Sequence, residues 1–281
     1  MTTMDDPGSS VLDDIRVWLR THWQLIAAPA LTLAIIAGAS MWLRPKAGPS
    51  GPVNVDNPAG VVEGQPYAPK IDPVDFSTTI DNAFFPLTPG MTMTFQDGNE
   101  RVVVTVTSST RTVMGVETRV VRDQEFEGDR LIEDTEDWYA QDADDNVWYF
   151  GESTAQCRDG NVTSQAGSWE AGIDGAQPGV VMLGQPEVGD YYRQEYYRGH
   201  AEDVARVREV GATMTIRDTT YDNVLVTEEF TALEPGVLEH KGYAREVGLI
   251  REGPPSESGA QLTEAAETEP TASDPTTLCQ P

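Results

Sequence analysis

DWYAQDADDNVWYFGE, residues 137 to 152, places two runs of large aromatic residues on either side of a short acidic segment. Aromatic and β-branched residues favour strands, and Asp and Asn residues between two such runs favour a tight turn. The stretch therefore predicts two antiparallel β-strands joined by a turn at DADDN, residues 142 to 146.

Similar strand and turn signals extend outward from this hairpin in both directions. On the N-terminal side, MTMTF and RVVVTVT flank a turn at Asp97 and Gly98, and further short strands follow as far as residue 252. Short turns place consecutive strands side by side. The sequence predicts a mainly β domain over residues 71–252, built as a curved antiparallel β-meander sheet in the form of a half-barrel. The segment AEDVARVREV, 201–210, remains open between a strand and a short helix, because two of its valines also have helical spacing.

Residues 24–43 form an uncharged, largely apolar run of twenty residues. At 1.5 Å per residue a helix of this length spans the roughly 30 Å hydrocarbon core of a bilayer. Trp23 and Trp42 lie at its ends, where indole rings favour the membrane interface. The sequence predicts one single-pass transmembrane helix at 24–43, preceded by a segment, 1–23, that contains a short interfacial helix. The alternative is a signal peptide cleaved after Ala37-Gly38-Ala39, which the acidic segment before the apolar run disfavours.

Two segments flank the predicted β domain. Residues 44–70 are rich in Pro and Gly and predict a semi-rigid stalk. Residues 253–281 contain no aromatic and no basic residue, which predicts an acidic, disordered tail. The chain has two cysteines, Cys157 and Cys279, and in an exported protein these favour a disulfide that ties the tail to the domain; the alternative is two free thiols.

The charge of the chain limits its partners. It carries 46 acidic and 19 basic residues, a formal net charge of −27. Such a surface repels phosphate backbones, so no nucleic acid is expected as a partner. The predicted contacts are instead a membrane through residues 24–43 and either an envelope protein complex or a hydrophobic ligand.

Several segments within residues 80–252 also carry a family resemblance. NAFFPLTPG, DWYAQDADDNVWYFGE, GSWEAGIDGAQPG, YRQEYYRG and LEPGVLEHKGYAREVGLIRE occur in this order. Together they resemble an uncharacterised family of bacterial exported proteins, many of them lipoproteins. The resemblance implies a β-rich domain of the bacterial envelope, outside the cytoplasm, and implies no activity or catalytic residue. The chain departs from the family pattern at Asp145, where Gly is expected, and at Arg245-Glu246. Its strand pattern is also similar to that of curved single-sheet carriers of the lipoprotein-sorting type.

The sequence offers no metal, cofactor or catalytic site that its residue spacing supports. Asp142, Asp144 and Asn146 alternate like the first ligands of a calcium-binding EF-hand, but Val147 and Ser153 occupy the positions that need Gly and Glu. A solvated hairpin turn is the preferred interpretation. The domain lacks a nucleophile elbow and a Cys-x-x-Cys-His haem motif, so we expect no metal, no cofactor and no catalytic residue.

Aromatic residues are the remaining signal. Adjacent residues of a strand point to opposite faces, so both faces of the sheet are expected to carry aromatics, either as core or as the wall of a ligand site. Tyr192, Gln194, Tyr196, Arg198 and His200 are expected to share one face. The candidate ligand or partner surface consists of Trp138, Trp148, Trp169, Tyr192, Tyr196 and His200.

Three functions remain after these exclusions. The first is a non-catalytic, membrane-anchored extracytoplasmic domain with a binding or accessory-subunit role in the bacterial envelope. The second is a carrier or sensor of a hydrophobic or lipid ligand. The third, disfavoured for lack of a catalytic arrangement, is an envelope hydrolase that uses acidic residues.

Overall fold

The computed structural model describes residues 67–255, 259–273 and 278–279. They form one antiparallel β-sheet, preceded by a 3-10 turn at Pro73–Asp75. The strands, in chain order, are β1 (Phe76–Ser77), β2 (Met91–Asp97), β3 (Glu100–Val113), β4 (Val116–Glu127), β5 (Arg130–Asp142), β6 (Val147–Arg158), β7 (Asn161–Ser164), β8 (Trp169–Glu170), β9 (Gln177–Met182), β10 (Tyr191–Arg193), β11 (Glu195–Tyr196), β12 (Asp203–Ile216), β13 (Thr219–Thr231), β14 (Glu239–Ala244), β15 (Gly248–Gly253) and β16 (Ala260–Glu267).

Most strands pair with their neighbours in sequence. Thirteen of them follow the order β10, β12, β13, β14, β15, β16, β2, β3, β4, β5, β6, β9, β11, while β1 pairs with β5 and both β7 and β8 pair with β6. The predicted mainly β, antiparallel meander is therefore confirmed. The hairpin predicted at Asp97 and Gly98 joins β2 to β3, and the segment left open at 201–210 belongs to strand β12.

The sheet curls further than the predicted half-barrel, into a nearly closed barrel-like form. Its two edges are joined by one short stretch of chain: β10 pairs with β12 at one edge, and β11, only one residue later, pairs with β9 at the other. Between them, the Gln194 amide donates to the Asp203 carbonyl (2.9 Å). The close approach requires glycine at 179, since a Cβ there would lie 2.3 Å from the Gln194 carbonyl.

The hairpin at 137–152 forms as predicted. Strands β5 and β6 pair with Tyr139 opposite Tyr149, and the intervening turn is organised by Asp142. One oxygen of its carboxylate accepts from the amides of Asp144 and Asn146, each at 2.9 Å, and the other accepts from the Trp148 indole at 2.7 Å. These hydrogen bonds explain why an aspartate occupies position 142.

The C-terminal segment 253–281 differs from the disordered tail expected from its composition. Residues 260–267 form strand β16, which pairs with both β15 and β2 and so links the two halves of the sheet. Its Ala260 and Leu262 are buried at alternate positions, a pattern that the average composition of the tail conceals. The predicted disulfide is confirmed: Cys279 is bonded to Cys157 of β6, with 5.3 Å between their Cα atoms.

The predicted N-terminal segments lie outside the described residues. These are the interfacial segment 1–23, the span 24–43 and nearly all of the stalk 44–70. Within the described part of the chain, no helix has the length and apolar character needed to cross a membrane. The transmembrane helix remains a prediction.

Candidate functional site

The curled sheet encloses a cavity of about 200 Å³. Alternation along the strands decides which side chains reach it, since every second residue faces inward. Tyr139 of β5 faces the cavity, whereas its neighbour Trp138 lies on the opposite face of the sheet. Trp138 is buried there, with the Arg111 guanidinium 4.0 Å from its ring centroid. Both faces of the sheet carry aromatics, as predicted.

One end of the cavity is apolar and is closed by the segment between β1 and β2. Phe85 of this segment packs against the rings of Tyr139 (5.7 Å between centroids) and Tyr243 (6.3 Å). The aliphatic part of the same wall consists of Pro86, Leu87, Met93, Val104, Val121 and Leu249. This end of the cavity can accept a hydrocarbon group.

Two buried amides hold the closing segment in place. The Asn82 side chain donates to the carbonyls of Asp145 (2.8 Å) and Leu183 (3.1 Å), and its oxygen accepts from the Phe84 amide at 2.8 Å. The Gln141 side-chain oxygen accepts from the Asn82 amide at 2.9 Å. Asn82 thus ties the closing segment to the β5–β6 hairpin and to Leu183, and its side-chain oxygen also accepts from the Phe85 amide at 3.1 Å.

The other end of the cavity is acidic. Moving along β14 from Tyr243 toward Glu239, the inward side chains change from an aromatic ring to Lys241 and then to a carboxyl group. The same change occurs along β4, where Val121 is followed on the inner face by Asp123 and Glu125. At about 3.3 Å per residue, Glu239 lies roughly 13 Å from Tyr243 along the strand.

Lys241 is the one lysine or arginine among the residues that line this cavity, and carboxylates surround it. Its ammonium lies 3.0 Å from a Glu229 oxygen and 3.5 Å from a Glu252 oxygen. Burial lowers the pKa of Lys241, but the nearby charges of Glu229 and Glu252 outweigh burial and hold the pKa well above its usual range. Glu229 also accepts from the Thr227 hydroxyl at 2.8 Å. Lys241 therefore stays charged inside the protein, with its charge already compensated.

Three further carboxyl groups of the cavity wall, those of Glu195, Asp203 and Glu239, have raised pKa values. Burial raises the pKa of Asp203 to about 6, although Lys241 opposes the rise, and burial together with Glu252 raises the pKa of Glu239 to about 8. Burial and the neighbouring Asp203 hold the pKa of Glu195 well above its usual range.

A second cluster of carboxyl groups lies on the inner face of β4 and β5. Its members do not line the cavity. Burial is the main cause of the raised pKa of each member, and it brings Glu125 to about 8 and Glu133 and Asp137 to about 7. The Tyr149 hydroxyl donates to Asp137 at 2.7 Å. No cluster of ligands suited to a metal ion occurs among the residues that the structure describes.

Of the six residues that the sequence nominated as a ligand or partner surface, His200 alone lines the cavity, while Trp169 packs on the cavity-lining Tyr149 with 5.3 Å between ring centroids. His200 lies at the cavity mouth, where it stacks on Tyr197, but it is exposed. Tyr196 packs outside against Tyr67 (5.5 Å). Buried in the apolar core are Trp138, Trp148, Trp169 and Tyr192.

The face expected for alternate residues 192–200 does not form, because β10 ends at Arg193 and β11 begins at Glu195. The short break at Gln194 lets both Gln194 and Glu195 reach the cavity. The Arg198 side chain is exposed at the following turn.

The polar residues of the cavity are hard to recognise in the sequence because acidic residues are abundant throughout the chain. A usable signal was the alternation within strands, as in Glu239-His-Lys-Gly-Tyr243, where a lysine lies between an acid and an aromatic on one face. Comparison with models of known protein families, with curated proteins and with solved structures found no match. The resemblance to exported bacterial proteins thus remains a hypothesis.

Proposed function

We propose that the protein binds a small, mostly apolar molecule inside its barrel-like sheet, as a carrier or sensor and not as a catalyst. The observation that supports this most directly is the cavity of about 200 Å³, with aromatic and aliphatic walls at one end and buried polar groups at the other. Binding sites for small molecules commonly combine such walls with a few polar groups. For scale, a protein cavity of roughly 150 Å³ holds benzene.

The apolar end of the cavity favours binding of a hydrocarbon group. A close-packed interior gains dispersion contacts that the lining of a void lacks, so filling the space beside Phe85 and Leu249 is favourable. A water molecule there would find few partners, because most of the wall is hydrocarbon. The polar groups at the opposite end then orient the ligand.

Calorimetric titration with benzyl alcohol tests this proposal. We expect the full-length chain in zwitterionic nanodiscs to bind one equivalent with a Kd of about 1 mM or tighter, given the affinity available to eight heavy atoms. Val104→Phe fills the cavity and abolishes binding. Val188→Phe, on the exposed surface, leaves it unchanged.

Leu249→Phe serves as a second cavity-filling variant should Val104→Phe disturb folding, which thermal unfolding would reveal. Heat of binding that persists in both folded variants, or no binding by the parent protein, contradicts the proposal.

We also propose that the domain lies outside the cytoplasm of a bacterial cell, attached to the membrane through residues 24–43. The disulfide between Cys157 and Cys279 supports this location, because such bonds persist in oxidising compartments. Protease added to intact spheroplasts should digest the domain. Digestion only after lysis would refute this location.

A further inference from the structure

We propose that the ligand of this cavity is an organic cation: a protonated amine on an apolar body about the size of one aromatic ring, with its ammonium group beside Glu195, Asp203 and Glu239. This inference rests on the proposed function and specifies the chemistry of the ligand. Four observations on the cavity wall support it.

The first observation is the imbalance of charge inside the cavity. Lys241 is paired with Glu229 and Glu252. Within the described part of the chain, Glu195, Asp203 and Glu239 line the same cavity, whose wall contains no lysine or arginine other than Lys241. Buried carboxyl groups that lack a cation are costly to ionise, so the wall as it stands has the capacity to bind one more positive group.

The second observation is a buried carboxyl group in the cavity wall. Glu195 is only 6% exposed and lines the cavity next to Asp203. The neighbouring Trp169 indole is the nearest donor and lowers the pKa of Glu195, but burial and Asp203 outweigh it. An ammonium group carries three N–H donors and no acceptor. It can donate to Glu195 and Asp203 together, where a carboxylate ligand would be repelled.

The third observation is the set of aromatic rings next to these carboxyl groups. Tyr139 and Tyr149 stack with 4.9 Å between their centroids, and both line the cavity. Aromatic rings have a negative electrostatic potential above their faces and favour a nearby positive charge over a negative one. Aromatic rings combined with carboxylates therefore favour an organic cation over a neutral molecule of the same shape.

The fourth observation is the arrangement of the two ends. Phe85 and Leu249 form the apolar end, whereas Glu239 lies about 13 Å away along β14 from the ring that Phe85 contacts. A cavity only moderately larger than one that holds benzene limits the apolar body to about one ring. A primary amine attached to such a ring by a short linker combines, in one molecule, the two chemistries that the two ends of the cavity favour.

Three probes of nearly equal shape separate charge from size: benzylamine, benzyl alcohol and benzoate. Titrated into the full-length chain in zwitterionic nanodiscs at pH 8, benzylamine is expected to bind at least about tenfold more tightly than benzyl alcohol. Benzoate is expected not to bind. Val104→Phe should block benzylamine, which locates the binding inside the cavity.

Glu195→Gln tests the contact itself, with Asp203→Asn as a second variant. Each is expected to weaken benzylamine binding about tenfold and to leave benzyl alcohol unchanged, and the exposed control Glu187→Gln should change neither. Equal affinity for benzylamine and benzyl alcohol, both blocked by Val104→Phe, would overturn the cationic ligand and leave the cavity function standing. Loss of all binding, or binding insensitive to Val104→Phe, would overturn the proposed function as well.

Discussion

Buried carboxyl groups on the two faces of strand β5 differ in their partners. On the outer face, Asp134 accepts two hydrogen bonds from the Arg122 guanidinium, at 2.8 and 2.6 Å, and one from the Cys279 amide at 2.8 Å. On the inner face, Asp137 receives the Tyr149 hydroxyl but has no ion pair among the described residues, and burial raises its pKa to about 7. An ion pair and a backbone amide stabilise the charged form of Asp134. Asp137 has no such cation in the described part of the chain, so burial favours its protonated, uncharged form.

This difference assigns separate roles to the two faces. The C-terminal segment covers the outer face, where Ser273 also donates to Glu136, and the disulfide fixes that cover in place. The outer face therefore supports the fold. The inner face keeps acidic groups next to a cavity at a cost in stability, which is typical of a site kept for binding.

The largest expected effect is a fall in stability as the pH rises. The folded-state pKa values of Glu125 (about 8) and Glu133 (about 7) lie above those of the unfolded chain, so the folded state binds more protons between pH 5 and pH 8. The stability they confer is intact below the unfolded pKa and is lost as the pH passes the folded pKa. We expect the free energy of unfolding to decrease by about 5 kcal/mol over this range.

Urea unfolding of the full-length chain at pH 5 and at pH 8 measures this change. The groups involved are those of the inner face, and Lys241 contributes no slope in this window because its raised pKa lies above it. A midpoint that rises from pH 5 to pH 8 would show that the inner carboxyl groups are ionised and compensated, and would remove the contrast between the two faces.

The second largest effect on stability is expected for the disulfide that holds the C-terminal segment on the outer face. The disulfide closes a loop with a sequence separation of 122 residues, so its removal in the double variant Cys157→Ser/Cys279→Ser should lower the free energy of unfolding by about 4 kcal/mol. The slope of stability against pH should remain, because the inner carboxyl groups are untouched. A double variant that loses this slope would indicate that the outer cover and the inner face are one cooperative unit.

The sequence was sufficient for the parts of this molecule that short-range patterns decide. The hairpin at 137–152 follows from aromatic runs around an acidic turn, and the disulfide follows from having only two cysteines in a chain predicted to be exported. Strand β16 was missed because its alternation covers only eight residues within a tail of disordered composition. Its place between β15 and β2 depends on partners that lie far away in sequence.

The cavity depends on similar long-range information. Glu195 reaches the cavity because the chain crosses from one edge of the sheet to the other at Gln194. No local sequence pattern marks that crossing. Asp203, Glu229 and Lys241 resemble the many charged residues on the surface until the curvature of the sheet turns them inward. Alternation along a strand predicts which residues share a face, but not which face becomes the interior.

The third largest effect on the free energy of unfolding is expected for substitution of Asp134, the carboxylate on the outer face. Asp134→Asn removes the negative charge that pairs with Arg122 and weakens the acceptor of the Cys279 amide. Breaking a buried ion pair of this kind is expected to cost about 3 kcal/mol, measured by urea unfolding at pH 7. A cost below about 1 kcal/mol would place this pair with ordinary surface ion pairs.

The smallest effect is expected for the matched change on the inner face of the same strand. Asparagine at 137 retains an oxygen that can accept from the Tyr149 hydroxyl, and it removes a carboxyl group whose pKa of about 7 leaves it largely protonated below neutral pH. Asp137→Asn should therefore change the free energy of unfolding at pH 6 by less than about 1 kcal/mol. At pH 8 the variant should be more stable than the parent, because it has no buried charge to form. If instead Asp137→Asn destabilises the protein as much as Asp134→Asn does, the Asp137 carboxylate is charged and paired in the folded state, and the inner face supports the fold in the same way as the outer one.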